Sequence, residues 1–276
     1  MSRVAVDIKS YLNRIGYPEC DEVRPDIETL GRVQLAHACT VPFENIDVIL
    51  KKPIALDIAS VQQKLVTSRR GGYCFEQNML IIEVLKHIGF DVQALSARVR
   101  VGRTRDFTPP RTHLFARVNL EGVPWLVDVG VGGMTPTAPL RMDISDPQTT
   151  LHDTRRIIHG EDANNLPRWF HQVLLDDVWH DIYDFTGEEM PMIDREVGNW
   201  WTSTNPESKF RQSIMAALAV PDGSRHSLST HQYVRRSAGN VLEKIEIKTS
   251  EQMVSILADR FGIDLPKTTV FGIEGL

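Results

Sequence analysis

Cysteine is scarce in this 276-residue chain, which has three: Cys20, Cys39 and Cys74. An odd number with no CxxC spacing excludes a disulfide framework and a structural zinc site, so free thiols in a reducing compartment are expected. Long apolar runs are absent as well, and none could span a bilayer. The amino-terminal MSRVAVDIKSYLNR turns polar too soon for a secretory signal, so a cytoplasmic protein without a membrane partner is expected. Excess positive charge is also missing. With 31 Lys and Arg against 36 Asp and Glu, the formal net charge is −5, which excludes a general nucleic-acid binder and confines any anion site to a local patch. The nine histidines form no HExxH or comparable ligand spacing, so no metal is assigned.

What is present is ordinary for a folded protein, with 42% hydrophobic and 24% charged residues and length for one large domain or two to three small ones. The first ninety residues carry helical periodicity: Ile8, Tyr11, Leu12 and Ile15 after Asp7, a second set from Asp26, a third from Asp57, and a fourth from Cys74 to the stop at Gly89. From Phe90 the pattern turns to β-branched residues between turn signals, as in HLFARVNL, VPWLVDV and VWHDIYDF. Beyond residue 200 strand-like segments lead to a last helix capped by Thr249. The expected organisation is α+β in three modules: a helical bundle over 1–89, an antiparallel β unit over 90–199, and an α/β unit over 200–276.

Cys74 follows a Gly-Gly turn at the first turn of a predicted helix, in RRGGYCFEQN. Free amides and the positive end of the helix dipole there favour thiolate over thiol, and the glycines would let the backbone approach a bound substrate. For Cys20 and Cys39 a buried, unreactive side chain is the expectation.

A reactive cysteine needs a base and a group to orient it. HLFARVNL and VPWLVD flank Glu121-Gly122, which reads as a hairpin pairing 120 with 123 and therefore 115 with 128. Side chains alternate with period two, so Asp128 falls opposite Phe115 and diagonal to His113 on one face. A three-residue loop or a bulge near Pro124 would instead send Asp128 to the other face. With the even register, Asp128 holds the imidazole, His113 takes the thiol proton, and Cys74 attacks a carbonyl.

Gly130-Val131-Gly132-Gly133 follows a strand but runs into Pro136 and Pro139, so it is no dinucleotide fingerprint. Its position after Asp128 would bring bare amides to a phosphate or pantetheine. Arg98, Arg100, Arg103, Arg105 and Arg111, on the strand and loop before His113, are expected mostly as solvated charges. Trp169-Phe170 and Trp200-Trp201 are expected in the core or at a module interface.

Together these segments resemble the arylamine N-acetyltransferases. Arg70-Gly71-Gly72-Tyr73-Cys74-Phe75-Glu76-Gln77-Asn78 is similar to the RGGxCxExN signature of that family, and Val41-Pro42-Phe43-Glu44-Asn45 to its PFEN segment. Arg111-Thr112-His113-Leu114 and Leu126-Val127-Asp128-Val129-Gly130 match the segments that bear its histidine and aspartate. The resemblance implies a helical bundle, a β-barrel and an α/β lid, the first two forming a core like that of cysteine proteases and transglutaminases. It implies a ping-pong reaction with acetyl-CoA as cosubstrate and no permanently bound cofactor, in which an aromatic amine, hydrazine or N-hydroxyarylamine takes acetyl from Cys74. It also lends CoA contacts to Gly130, Gly132 and Gly133 and an acceptor pocket to Phe43, Phe75 and Val131. Many relatives carry an aromatic residue where this chain has Val131, so acceptor preference does not transfer. A transglutaminase-like or thiol hydrolase acting on peptides or amides is the alternative the same three residues could serve. The oligomeric state is open.

Overall fold

Three aspartates start the first long helices. The Oδ1 of Asp7, Asp26 and Asp57 accepts the backbone N–H of Ser10, Thr29 and Ser60 at 3.1, 2.8 and 2.9 Å, opening α1 (Ile8–Arg14), α2 (Ile27–Thr40) and α4 (Ile58–Gln62). Between α2 and α4 come a two-residue strand β1 (Phe43–Glu44) and the short α3 (Ile46–Ile49). α4 continues into a π-helical turn, Gln63–Thr67, and α5 (Cys74–Ile88) ends where Gly89 takes φ 107°. The computed structural model describes residues 5–18, 22–273 and 275–276, so Cys20 lies outside the described residues.

Eight antiparallel strands form the central sheet: β2 (Asp91–Val99), β3 (His113–Leu120), β4 (Val123–Val127), β5 (Leu140–Arg141), β6 (Gln148–Thr149), β7 (Thr154–Glu161), β8 (Pro167–Leu175) and β9 (Val178–Glu189). Their order is β5-β4-β3-β2-β9-β8-β7-β6, and the sheet curls into a nearly closed barrel. The two ends meet through a side chain. The Gln148 amide on β6 accepts the Arg141 N–H of β5 at 2.7 Å and donates to its carbonyl at 3.0 Å, reproducing a ladder pair across the gap. The barrel encloses Leu95, Phe115, Leu126, Val173, Tyr183 and Phe185, while α5 packs Leu80, Val84 and Ile81 into a separate core shared with Leu114, Ala116 and Val118. β7 was not visible as a strand in the sequence because Thr154-Arg155-Arg156 and Gly160-Glu161 leave it only two β-branched apolar residues.

The chain then forms α6 (Met192–Thr204), α7 (Lys209–Gln212), β10 (Met215–Ala219), β11 (Arg225–Ser229), β12 (Gln232–Ser237), β13 (Asn240–Glu246) and α8 (Ser250–Phe261). α6 is continuous across position 200, where the sequence pattern changes. Strand order in the second sheet is β1-β10-β11-β12-β13, so β1 from the amino-terminal stretch covers the β10 edge. Ile46 and Ile49 of α3 likewise join the core that Met253, Leu257 and Phe261 of α8 build against this sheet. Trp200 departs from its expected burial. It is 64% exposed, in line with Ile193 and Val197 on the outer face of α6, while Gly198 and Asn199 face inward. No helix among the described residues is long and apolar enough to cross a membrane.

Candidate active site

The Gly-Gly turn before Cys74 is dictated by packing inside the protein. A Cβ on Gly71 would stand 2.0 Å from the Pro42 carbonyl oxygen, and one on Gly72 would stand 2.7 Å from Glu76 Oε2. Both faces are closed by the protein itself, so the glycines do not open the backbone to a substrate as the sequence suggested. They let the turn lie against β1 instead: Glu44 N–H donates to the Gly72 carbonyl at 3.0 Å, and Gly72 N–H donates to the Pro42 carbonyl at 3.2 Å. Gln77 reinforces the junction by donating to both carbonyls, at 2.8 and 3.1 Å. Behind it, His37 is fully buried between Tyr11 (Nδ1–Oη 2.9 Å) and Gln77 (Nε2–Oε1 3.2 Å), and burial lowers its pKa to about 3, which leaves it neutral. Cys74 thus begins α5 on a rigid base, with Sγ 3.6 Å from the Thr112 carbonyl oxygen.

The hairpin register places the other two residues. Leu120 pairs with Val123, Asn119 with Pro124 and Ala116 with Val127, with no bulge, so the next step along the ladder sets Phe115 opposite Asp128. His113, first residue of β3, meets Asp128 through Nε2 and Oδ2 at 2.8 Å, near enough to Cys74 for the thiol to influence the imidazole. All three are buried, at 4, 2 and 0% exposure. Burial alone would strip the His113 proton, but the Asp128 carboxylate and the Cys74 side chain outweigh it and raise the imidazole to about 10. Burial opposes the Asp128 charge too; His113, the Gly130 amide and Asn78 nevertheless hold it below the usual carboxylate range.

Asn78 escaped the sequence reading except as a letter of the signature. It lies one helical turn after Cys74, a spacing that puts both on one face of α5. Its Nδ2 donates to Asp128 Oδ1 (2.9 Å) and to the Leu114 carbonyl (2.7 Å), and its Oδ1 accepts Val129 N–H (3.1 Å), so one amide ties the helix to both strands of the hairpin. Asn78→Ala is expected to cost about 2–3 kcal/mol of stability, because it strands buried polar groups. Turnover should also fall by roughly tenfold or more as Asp128 loosens; thermal unfolding and turnover of the same preparation measure the two effects. Tyr183 was missed as well. Its ring lies 5.0 Å from the His113 ring, and burial together with the Asp128 charge pushes its hydroxyl well above the ordinary tyrosine range.

The glycines of the following loop differ in what surrounds them. Gly130 N–H donates to Asp128 Oδ1 at 2.9 Å, and a Cβ there would press to 2.8 Å on Cys74 Cα. This amide is therefore committed to the carboxylate and is not one of the bare donors the sequence suggested. Gly132, at φ 73°, packs on the Phe43 ring, whereas a Cβ on Gly133 would meet nothing within 4 Å. The prolines exclude a long helix here, and Gly132–Met134 forms a single 3₁₀ turn. Val131 is half-buried against the barrel core. Phe43 lies 6.1 Å, ring to ring, from Phe210, which in turn lies 5.4 Å from Tyr73; Phe75 is fully buried against Tyr73 and the Gly198 backbone.

The arginines before His113 are not mostly solvated charges. Arg100 is fully buried, paired with Asp184 and donating to the carbonyls of Thr104 and Phe107 at 3.1 and 2.9 Å. Arg105 binds Asp181 through two nitrogens and lies over the Phe170 ring at 3.7 Å, while Arg111 pairs with Glu188. They fasten the 100–112 loop to the barrel, which fixes the Thr112 carbonyl beside the sulfur. Among the described residues no group of three or more His, Cys, Asp or Glu side chains could hold a metal ion.

A buried thiol at a helix start, an imidazole and a carboxylate, set where a helical bundle meets an antiparallel barrel, define a protein with a cysteine–histidine–aspartate triad. A family model described as N-acetyltransferase matches residues 26–270. The chain is 36% identical over 256 residues to the arylamine N-acetyltransferase of Escherichia coli K12, covering 93% of this chain and 88% of that one. It is 37% identical over 266 residues to the Mycobacterium tuberculosis arylamine N-acetyltransferase, covering 95% and 91%. Its fold superposes on that of the Mycobacterium marinum arylamine N-acetyltransferase in complex with CoA with a TM-score of 0.88, at 35% identity and 96% coverage of each. The chain belongs to the arylamine N-acetyltransferase family.

Proposed function

We propose that this protein transfers acetyl from acetyl-CoA to aromatic amines, hydrazines or N-hydroxyarylamines through an acetyl thioester on Cys74. The observation that carries the reading is the 2.8 Å His113–Asp128 pair, buried beside Cys74 at the start of α5. In the first half-reaction the Cys74 sulfur, its proton held by His113, adds to the acetyl carbonyl. The first-turn amides of α5, which have no intrahelical acceptor, would donate to the oxyanion. The carbon–sulfur bond to CoA then breaks, and CoA leaves with the His113 proton. In the second half-reaction the amine nitrogen adds to the thioester and gives its proton to His113. Cys74 departs as thiolate, and the amide is released. Asp128 keeps Nε2 of the imidazole engaged, so that the other ring nitrogen serves the sulfur and then the amine.

Gly132 and Gly133 are proposed as the part of the loop that meets CoA, because Gly133 faces open space and the Gly130 amide is taken. Phe43 and Val131 are proposed on the acceptor side, with Phe75 as the buried wall behind the nucleophile. Family membership disfavours the peptide-directed thiol hydrolase. Intact-mass measurement after adding acetyl-CoA alone should show one acetyl group on Cys74, and initial rates with an arylamine should give parallel double-reciprocal lines. An unmodified Cys74 or intersecting lines would reject the reading.

A further inference from the structure

Beneath the turn that carries Cys74 lies a second cluster of charges that the reaction described above does not use. Glu44 of β1, Asp47 of α3, Lys64 of the π-helical turn, Arg70 and Glu76 of α5 come together there. Arg70 Nη2 lies 2.7 Å from Glu44, and Lys64 Nζ lies 2.9 Å from Asp47 and 2.7 Å from Glu76. Asp47 also has Arg70 at 3.4 Å and Lys52 at 3.7 Å, whereas Glu76 has Lys64 as its only ion-pair partner among the described residues. The other oxygen of Glu76 accepts Tyr73 N–H at 3.1 Å, and the bare face of Gly72 is pressed against the same carboxylate. One side chain thus constrains the two residues before the nucleophile. The ammonium that anchors it comes from a π-helical turn, an irregularity that redirects the side chains it carries.

We propose that Glu76 is a positioning residue for acetyl transfer: its carboxylate, held by Lys64, fixes the Tyr73 amide and hence the turn that aims Cys74, so the charge on Glu76 governs how well the nucleophile is placed. The inference rests on Cys74 being the nucleophile. Ionised, Glu76 makes a charge-assisted hydrogen bond to Tyr73 and an ion pair with Lys64; protonated, it keeps neither at full strength. Burial drives the carboxyl upward and the neighbouring Glu44 adds to this; Lys64 opposes both, leaving it at about 7. Lys64, itself held above the ordinary lysine range by Glu76, Glu44 and Asp47 against the effect of burial, stays charged throughout. Arg70 and Asp47 complete the groups facing the pair, and Tyr73 stays neutral because burial and the Glu76 charge push its hydroxyl up. The placement of the turn should therefore change between pH 6 and 8.

The test is single-turnover release of CoA from acetyl-CoA without acceptor, for the native protein, Glu76→Gln, Lys64→Met and Lys64→Arg, over that pH range. Gln keeps an oxygen for Tyr73 but has no charge to lose, and ionisations common to both proteins cancel in the ratio of rates. The native protein should outpace Glu76→Gln by roughly tenfold at pH 8 and by less than about twofold at pH 6. Lys64→Met should need a higher pH than native to reach its plateau, and Lys64→Arg should keep the native profile. A ratio that is constant with pH, or that widens towards acid, would reduce Glu76 to a packing residue. If Glu76→Gln does not fold, the two Lys64 variants decide, and identical profiles overturn the proposal. A native protein that forms no acetyl-Cys74 refutes the parent reading, whereas an acetylated native protein with a flat ratio refutes only the role of Glu76.

Discussion

Cys74→Ser is expected to leave a folded protein with at least about 10⁴-fold less acetyl transfer. The change removes the one atom in the site that can carry the acetyl group as a thioester. Its replacement, a hydroxyl, holds its proton far more tightly than a thiol, so His113 cannot supply an alkoxide at neutral pH. Folding should survive. Serine is close to isosteric, retains a donor for the Thr112 carbonyl, and should shift stability by no more than about 1 kcal/mol. Acetyl-CoA consumption, the mass of the protein after exposure to acetyl-CoA, and the thermal midpoint together test this. Turnover above about 1% of native would show that transfer does not need a thiol at residue 74.

Asp128→Asn has nearly as large an expected effect for a different reason. Oδ1 of Asp128 already accepts from Asn78 Nδ2 and Gly130 N–H, so the asparagine oxygen must occupy that position to keep two buried donors satisfied. Its NH₂ then points at His113 Nε2, where the carboxylate had been. A donor there forces the neutral imidazole to keep its hydrogen on the nitrogen facing Cys74, the wrong tautomer to accept the thiol proton. A loss of 10²- to 10⁴-fold in the acylation half-reaction is expected on that order. Binding of CoA should change little, and single-turnover CoA release with a separate CoA titration distinguishes the two. Acylation within tenfold of native would mean that the carboxylate only fills space.

The same variant should alter how stability depends on pH. His113 has its ordinary value near 6.5 in the unfolded chain and about 10 in the folded protein. A raised histidine contributes stability that is complete below 6.5 and is lost as pH climbs towards 10. Asp128→Asn removes the charge that dominates this rise, so its alkaline loss of stability should be shallower than that of the native protein.

Much of this site was legible before any coordinates, and the reasons are local. Gly89 and the three capping aspartates set helix limits through backbone chemistry within four residues. The parity of the Glu121-Gly122 turn assigned His113 and Asp128 to one face of the hairpin, because a period of two leaves only two outcomes. The residues that failed to show themselves act across the chain. Nothing near Asn78 in sequence reveals that it joins Leu114, Val129 and Asp128, which lie 36 to 51 residues away. The Gly130 amide looked available because its acceptor, the carboxylate two residues back, depends on how the chain turns after β4. Arg100 and Arg105 read as surface charges because their carboxylates, Asp184 and Asp181, belong to a strand some eighty residues later. Trp200 read as a core or interface residue because large aromatic side chains usually seek burial, and nothing local shows which face of α6 the rest of the protein covers.

The sequence by itself therefore determined the helix start at Cys74 and offered His113 and Asp128 as a pair on one hairpin face, both consequences of backbone geometry over short spans. Tertiary structure alone decided which glycines serve packing, that the Gly130 amide is taken by Asp128, how a two-residue strand from the amino-terminal stretch covers an edge of the second sheet, and that Lys64 and Glu76 meet under Cys74. Those depend on contacts between distant segments, where burial and the pairing of charges, rather than local propensity, select the arrangement.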